Sequence, residues 1–308
     1  MKILVTGGAG YLGSVLVPLL LRRGHTVTVL DNFRSGTATS LAACCSYTTF
    51  TLVRGDARDR GTLQRLLAKA DAIIPLAAVV GVPACDRDTE AAHTVNTGAI
   101  ASLTFYASQN QLILFPCTNS GYGVGGQEEC TEESALTPLS LYGTSKVQAE
   151  KLVRKHTTSV SFRFATLFGA SPRMRLDLLV NDFTYRAVRD KALTLFEGDF
   201  RRNYLHVRDA AGAFMHVLDH PYLISQKVFN AGLSSANLSK RELCYRIKEF
   251  VPEFTWHDSE TGQDPDKRDY VVSNAKFEAT GWTPQYSLGD GIRELVQLYQ
   301  APFETFRN

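Results

Sequence analysis

Along the first half of the chain, short unbroken apolar runs alternate with stretches whose apolar positions recur at helical spacing. The runs Ile3–Thr6, Val27–Leu30, Thr51–Arg54, Ala72–Leu76, Leu112–Phe115 and Ser161–Ala165 are rich in β-branched residues. Continuous apolarity, without alternation, predicts strands of a parallel sheet covered on both faces. Between them, Ser14–Arg23, Leu63–Lys69, Thr94–Gln109 and Tyr142–His156 read as helices. Strand, helix, strand in repetition predicts right-handed crossovers and a doubly wound α/β fold.

After about Phe168 the pattern changes. Helical stretches at Leu178–Lys191 and Lys240–Phe250 alternate with short strand candidates and with loops rich in Pro, Asp and Gly. This half is expected to form a smaller mixed α/β lobe that covers a substrate. Asn203–Val207 and Val228–Asn230 are expected to return as strands to the main sheet. The division into 1–168 and 169–308 is therefore interleaved, with segments near 203–220 and 228–232 belonging with the first part.

Composition narrows the partners. Thirty-three Lys plus Arg against 31 Asp plus Glu leave a net charge of +2, so nothing electrostatic points to a nucleic acid. Apolar stretches such as Val15–Leu21 fall far short of the roughly 20 residues that cross a bilayer. The chain enters Lys2-Ile3-Leu4-Val5 with no signal-peptide pattern, and a cytoplasmic location is expected. The six cysteines show neither CxxC spacing nor Cys/His clusters, which predicts free buried thiols and no metal site.

The first strand candidate runs into Gly7-Gly8-Ala9-Gly10-Tyr11-Leu12-Gly13, and a helix is expected from Ser14. Glycines at this spacing permit a tight turn and close approach of a pyrophosphate, which the helix N-terminus favours. Asp31 ends the second strand candidate, 18 residues after Gly13. A carboxylate there accepts from both ribose hydroxyls and repels a 2′-phosphate, so NAD is expected over NADP. Arg34 is the one nearby group suited to a 2′-phosphate. Asp56, beside Ala57, is placed to meet the adenine amine, and Leu76 with the small pair Ala77-Ala78 to let the cofactor lie close. The fold expected is of the Rossmann type.

Tyr142-Gly-Thr-Ser-Lys146 opens a predicted helix, which puts Tyr142 and Lys146 on one face. A lysine ammonium beside a phenol favours the phenolate, the form needed for base chemistry. Thr118 follows the strand candidate Leu112–Phe115, at the carboxyl edge where ligands bind in open α/β sheets.

These motifs together resemble the extended short-chain dehydrogenase/reductases that act on nucleotide sugars, over nearly the whole chain. The resemblance rests on the glycine turn, Asp31-Asn32, Gly55-Asp56, Thr118 with Tyr142 and Lys146, Arg202-Asn-Tyr-Leu-His-Val-Arg-Asp209, Lys267-Arg268-Asp-Tyr and Ala279-Thr-Gly-Trp282. It implies an NAD-binding domain, catalysis by Thr118, Tyr142 and Lys146, and a lobe that grips a nucleotide diphosphate. By position it implies Asn32 and Asn96 near the cofactor, and Asn181, Arg202 and Arg268 on the substrate. It also implies a homodimer built from the Thr94–Gln109 and Tyr142–His156 helices. Where the family carries a histidine before the small pair, this chain has Pro75-Leu76.

Longer runs resemble bacterial enzymes that oxidise a GDP-linked heptose at C4, and their epimerase relatives. They are Thr118–Gly123, Ser171–Arg186, Phe200–Tyr204 and Gly232–Leu238. The shared first step would be oxidation at C4 to a 4-keto sugar, followed by release (a 4-dehydrogenase) or return of hydride to the other face (a 4-epimerase). A 4,6-dehydratase of this family carries Asp-Glu after the threonine. Here Asn119 and Ser120 stand there, expected to hydrogen-bond the sugar but unable to act as acid and base. Cys117 has no evident partner for epimerisation at C3 or C5 and reads as packing. A catalytically silent NAD-binding sensor or scaffold is the reading from a different class, and the presence of both Tyr142 and Lys146 opposes it.

Overall fold

The computed structural model describes residues 1–125, 128–224, 227–259 and 268–301. Seven strands form a large sheet: β1 (Lys2–Thr6), β2 (Thr26–Asp31), β3 (Phe50–Arg54), β4 (Ala72–Pro75), β5 (Leu112–Thr118), β6 (Ser159–Phe164) and β10 (Lys227–Ala231). Every neighbouring pair is parallel, in the order β10-β6-β5-β4-β1-β2-β3. A second sheet joins β7 (Thr166–Phe168), β9 (Arg201–His206) and β11 (Asn237–Ser239), and β8 (Ala192–Leu195) pairs with β12 (Thr255–Asp258). The first half carries helices α1 (Gly13–Arg22), α2 (Arg60–Leu67), α3 (Val82–Arg87), α4 (Thr89–His93), α5 (Ala99–Tyr106) and α6 (Leu141–Val153). The second half carries α7 (Leu179–Arg189), α8 (Val207–Asp219), α9 (Lys240–Lys248), α10 (Ala275–Glu278) and α11 (Leu288–Gln300).

Both faces of the large sheet are covered, which is why its strands are apolar throughout. In β1, Ile3 and Val5 pack into one layer with Leu16, Leu20 and Phe214, while Leu4 enters the opposite layer with Leu63, Ile100 and Phe115. A third core of Phe168, Phe183, Leu195, Leu243, Ile292 and Leu295 serves the C-terminal lobe. The connections leave β1 and β4 side by side with their chains departing in opposite directions. That switch point opens a crevice at the carboxyl edge.

The segment Val228–Asn230 lies within β10, beside β6. Asn203–Val207 does not reach the large sheet: β9 runs parallel to β7 and antiparallel to β11. Since β6 already has β5 and β10 on its two sides, its short continuation β7 is the edge left for β9. The helix that follows does rejoin the large-sheet layer, where Ala210, Ala211 and Phe214 of α8 share a core with Leu16 and Leu20 of α1. The helix expected at Thr94–Gln109 begins earlier, at Thr89, widens to a π-turn over Thr94–Gly98 and ends at Tyr106. All six thiols are free; Cys45 is exposed, contrary to expectation, because it ends a short 3-10 turn at the surface. Among the described residues no helix is long and apolar enough to cross a membrane, and no group of three or more His, Cys, Asp or Glu is placed to hold a metal.

Candidate active site

The glycine turn sits at the switch point and is held from three sides. Gly7 donates its N–H to the Leu30 carbonyl at 2.8 Å. Its φ is +72°, and a Cβ there would stand 2.5 Å from the Ala77 nitrogen and 2.8 Å from the Leu76 carbonyl carbon. Leu76 and Ala77 therefore press directly on the turn, and Ala78 follows, half-buried, at the same edge. A Cβ on Gly13 would lie 2.5 Å from the Gly8 oxygen, so α1 starts hard against the turn behind Leu12. Gly10 donates to the Gly7 carbonyl at 3.2 Å. Tyr11 points away into the lobe and donates from its buried hydroxyl to the Gly169 carbonyl at 2.7 Å.

Asp31 turns its carboxylate to this turn, accepting from the Ala9 N–H at 2.9 Å and the Phe33 N–H at 2.8 Å. Asp56 accepts from the Arg58 guanidinium at 2.8 and 2.9 Å and from the Asn32 amide at 3.2 Å. The Arg58 hydrogen bonds hold its carboxyl down at about 2. Arg34 is engaged with Asp88 at 2.7 Å. A turn with no Cβ to block it, a helix N-terminus and a carboxylate at the end of β2 fit a bound NAD.

The helix that bears Tyr142 and Lys146 packs on the strand that ends in Thr118, with Cys117 Sγ 3.7 Å from the Lys146 carbonyl. Ser140 caps α6, accepting from the Gly143 N–H at 3.1 Å. The helix then buries Lys146, Val147, Glu150 and Val153 against β5 and β6. Glu150 forms a buried ion pair with Arg163 of β6 at 2.8 Å, which fixes the helix below Lys146. The Lys146 ammonium lies 4.3 Å from the centroid of the Phe115 ring, and burial pushes it down to about 8 against the pull of Cys117 and Glu150. Burial pushes the Tyr142 phenol up to about 12, and Arg175 and Arg268 pull it the other way. The sequence pointed to Lys146 for that role, whereas the cations that act on the phenol here are the two arginines.

Thr118 closes β5 and its Oγ1 lies 2.9 Å from Ser120 Oγ, which takes a hydrogen bond from Arg268. Asn119 is buried, and neither its amide nitrogen nor its amide oxygen has a partner among the described residues. Both amide atoms are closed off from solvent, so the Asn119 side chain stands unpaired inside the protein beside Thr118. Asn96 sits in the π-turn and clamps Val79, accepting from its N–H at 2.8 Å and donating to its carbonyl at 2.9 Å. It also donates to Ser145 Oγ at 3.1 Å, so it ties the loop after β4 to α6. Asn181 is fully buried, accepting from the Gly169 N–H at 3.0 Å and donating to the Arg175 carbonyl at 2.9 Å. Its amide shapes the loop that lies over the crevice.

Arg202 is buried in β9 with its guanidinium 5.9 Å from the Tyr270 ring centroid. Arg202 and Arg268 both pull down the Tyr204 phenol, which burial raises. Lys267 lies outside the described residues. In the run after β7 only Asn181 was expected to have a role, yet the whole segment straps the crevice. Ser171 donates to the Tyr11 carbonyl at 2.7 Å, and Arg173 bonds the Ser35 carbonyl. The paired Arg175 and Asp177 lie against Gly81, each 3.6 Å from where a Cβ would be. Its signal is the Arg173-x-Arg175-x-Asp177 spacing, three charges in a segment with no helical period.

A glycine-turn crevice with a carboxylate at the end of β2 defines a Rossmann-type dinucleotide-binding protein. Residues 3–232 match the model of the NAD dependent epimerase/dehydratase family. The uncharacterized UDP-glucose epimerase YtcB of Bacillus subtilis is 31% identical, over 97% of this chain and 99% of that one. The low-salt glycan biosynthesis protein Agl12 of Haloferax volcanii is 29% identical, over 97% and 98%. The UDP-glucose 4-epimerase of Thermus thermophilus, solved with NAD, superposes with a TM-score of 0.84 at 25% identity, covering 98% of this chain and all of that one. The chain belongs to the NAD-dependent epimerase/dehydratase family, of the extended short-chain dehydrogenase/reductase type, and its cofactor is NAD.

Proposed function

We propose that the protein oxidises C4 of a nucleotide-diphosphate sugar to a 4-keto sugar and acts as a 4-epimerase or a 4-dehydrogenase. The observation that carries this reading is the packing of α6, which bears Tyr142 and Lys146, against the end of β5, where Cys117 Sγ lies 3.7 Å from the Lys146 carbonyl next to Thr118. NAD, when bound, supplies the acceptor for the hydride from C4. Tyr142 takes the proton of the 4-hydroxyl, and Lys146, Arg175 and Arg268 favour the phenolate that receives it. Thr118 hydrogen-bonds the reacting oxygen, and Asn119 holds the sugar. Arg202 and Arg268 supply positive charge suited to a diphosphate, for which guanidinium forks are well shaped.

Dehydration is opposed by Asn119 and Ser120, neither of which removes or delivers the required protons. A GDP-linked heptose is the sugar to offer first, on the resemblance of the Ser171–Arg186 and Gly232–Leu238 runs. A cytoplasmic homodimer through α5 and α6 belongs to the same reading, supported by Phe105 standing 80% exposed on α5.

The test is to offer GDP-, UDP-, ADP- and dTDP-sugars to the purified protein while following absorbance at 340 nm and the products by NMR. A 4-keto product with reduced cofactor assigns a dehydrogenase, and a 4-epimer without net redox an epimerase. Tyr142→Phe is expected to lower turnover at least 100-fold while NAD binding persists. Turnover of none of the four sugar classes, or an unimpaired Tyr142→Phe, overturns the reading.

A further inference from the structure

Thr118 and Ser120 share a proton network whose direction is a chemical question. The two hydroxyl oxygens are 2.9 Å apart, and the Ser120 N–H donates to Thr118 Oγ1 at 3.1 Å. Both residues are buried. Each hydroxyl brings one proton and two lone pairs, so the distance alone admits either donor. On the far side of Ser120, Arg268 Nη1 donates to Ser120 Oγ, and the same nitrogen donates to the Tyr270 hydroxyl at 3.3 Å.

A guanidinium can only donate, which makes Ser120 Oγ an acceptor from a cation. An oxygen in that position becomes a stronger donor through its own proton, because successive hydrogen bonds polarise one another. The acceptor within reach of that proton is Thr118 Oγ1. Thr118 Oγ1 then accepts twice, from the Ser120 N–H and from the Ser120 O–H. Its acceptor capacity is filled, and its own proton is the one left over, with no partner among the described residues.

We propose that Arg268 is a positioning residue that acts through Ser120 to present the Thr118 hydroxyl as a donor to the crevice. The inference rests on the reading of Thr118, Tyr142 and Lys146 as the catalytic group. There the Thr118 proton faces the sugar 4-oxygen and the phenolate, both of which are acceptors as the proton changes hands. The opposite polarity would turn a lone pair toward them and oppose phenolate formation. The pull of Arg268 on the Tyr142 phenol acts in the same sense. This role differs from the grip on a diphosphate that resemblance implies for Arg268, and the two separate in kinetics.

Two measurements decide it. The first is a double-mutant cycle with Ser120→Ala and Arg268→Gln, using whichever of the four sugar nucleotides the parent turns over. Each single variant is expected to lower kcat about tenfold, Ser120→Ala with KM within twofold and Arg268→Gln with the rise in KM that its grip on the diphosphate adds. The double variant should be no slower than the worse single one, because both cut the same chain. Arg268→Lys, which keeps a cationic donor, should recover most of the loss. A KM effect in Arg268→Gln without a kcat effect, or losses that multiply in the double variant, would overturn the proposal. The second is neutron diffraction from the deuterated protein with NAD bound, which needs no turnover and stands whether or not the sugar reading survives. Deuterium on Ser120 Oγ directed at Thr118, with the Thr118 deuterium directed into the crevice, is the expected result. A Thr118 deuterium lying between the two oxygens refutes it.

Discussion

Replacing Lys146 with methionine should inactivate the protein and make it more stable. Lys146 is 5% exposed, and burial lowers its ammonium from 10.5 to about 8. A displacement of that size corresponds to roughly 3 kcal/mol by which folding disfavours the charged form. The sign follows from proton counting. The folded value lies below the unfolded one, so between about 8 and 10.5 the unfolded chain binds more protons and stability rises with pH. Below about 8 the full penalty is present, and at neutral pH Lys146→Met removes it. The thioether would lie over the Phe115 ring, now 4.3 Å from the ammonium, in a favourable sulfur–aromatic contact. At about 2 °C per kcal/mol for a chain of this size, Tm should rise by about 4–6 °C at pH 7. The assay is calorimetry of the cofactor-free protein and the variant at pH 7 and pH 10. The gain should shrink at pH 10, where the parent lysine is neutral when folded and the penalty has largely gone. A variant less stable than the parent at pH 7, or a gain independent of pH, would show that the ammonium is not held against a desolvation cost.

Two further predictions concern the turn and the assembly. Gly13→Ala places a methyl 2.5 Å from the Gly8 oxygen and 2.6 Å from its Cα. It should abolish NAD binding in a calorimetric titration and cost about 1–3 kcal/mol of stability. The parent should scatter light as a dimer at micromolar concentration, and Phe105→Asp, which charges a ring that is 80% exposed, should shift it toward monomer; equal masses for the two would remove α5 from the interface.

The large sheet was legible because both its faces are covered: Ile3, Leu4 and Val5 are all buried, and the sequence is apolar without a break. The glycine turn was legible because Gly7 and Gly13 stand where no side chain fits. What the pattern could not show was pairing between distant segments. Asn203–Val207 reads as a strand equally well beside β6 or β7, and only the prior occupation of both β6 edges decides. The hydrogen bond from Arg268 to Ser120 spans 148 positions, and the one from Ser171 to the Tyr11 carbonyl spans 160. No periodicity encodes such contacts. Asn181 illustrates the complementary limit: resemblance implies a contact with substrate, and here its amide is engaged with Gly169 and Arg175.

The net charge of +2 is likewise a poor guide to the site, because the charges that matter are the ones water does not reach. Lys146 and Arg202 are buried, and the Arg175 side chain is 17% exposed. Removing such cations from water is expensive, and an anion brought among them recovers part of that cost. A doubly charged diphosphate would do so at Arg202 and Arg268, and a phenolate would do so at Lys146 and Arg175. The diphosphate would stabilise the fold by mass action, since it binds only the folded chain, whereas folding disfavours the phenolate, because burial lifts the Tyr142 phenol from 10 to about 12. Lys146 is thus a cation that weakens the free protein and serves its reaction, which is why a variant that gains stability there is expected to lose the reaction.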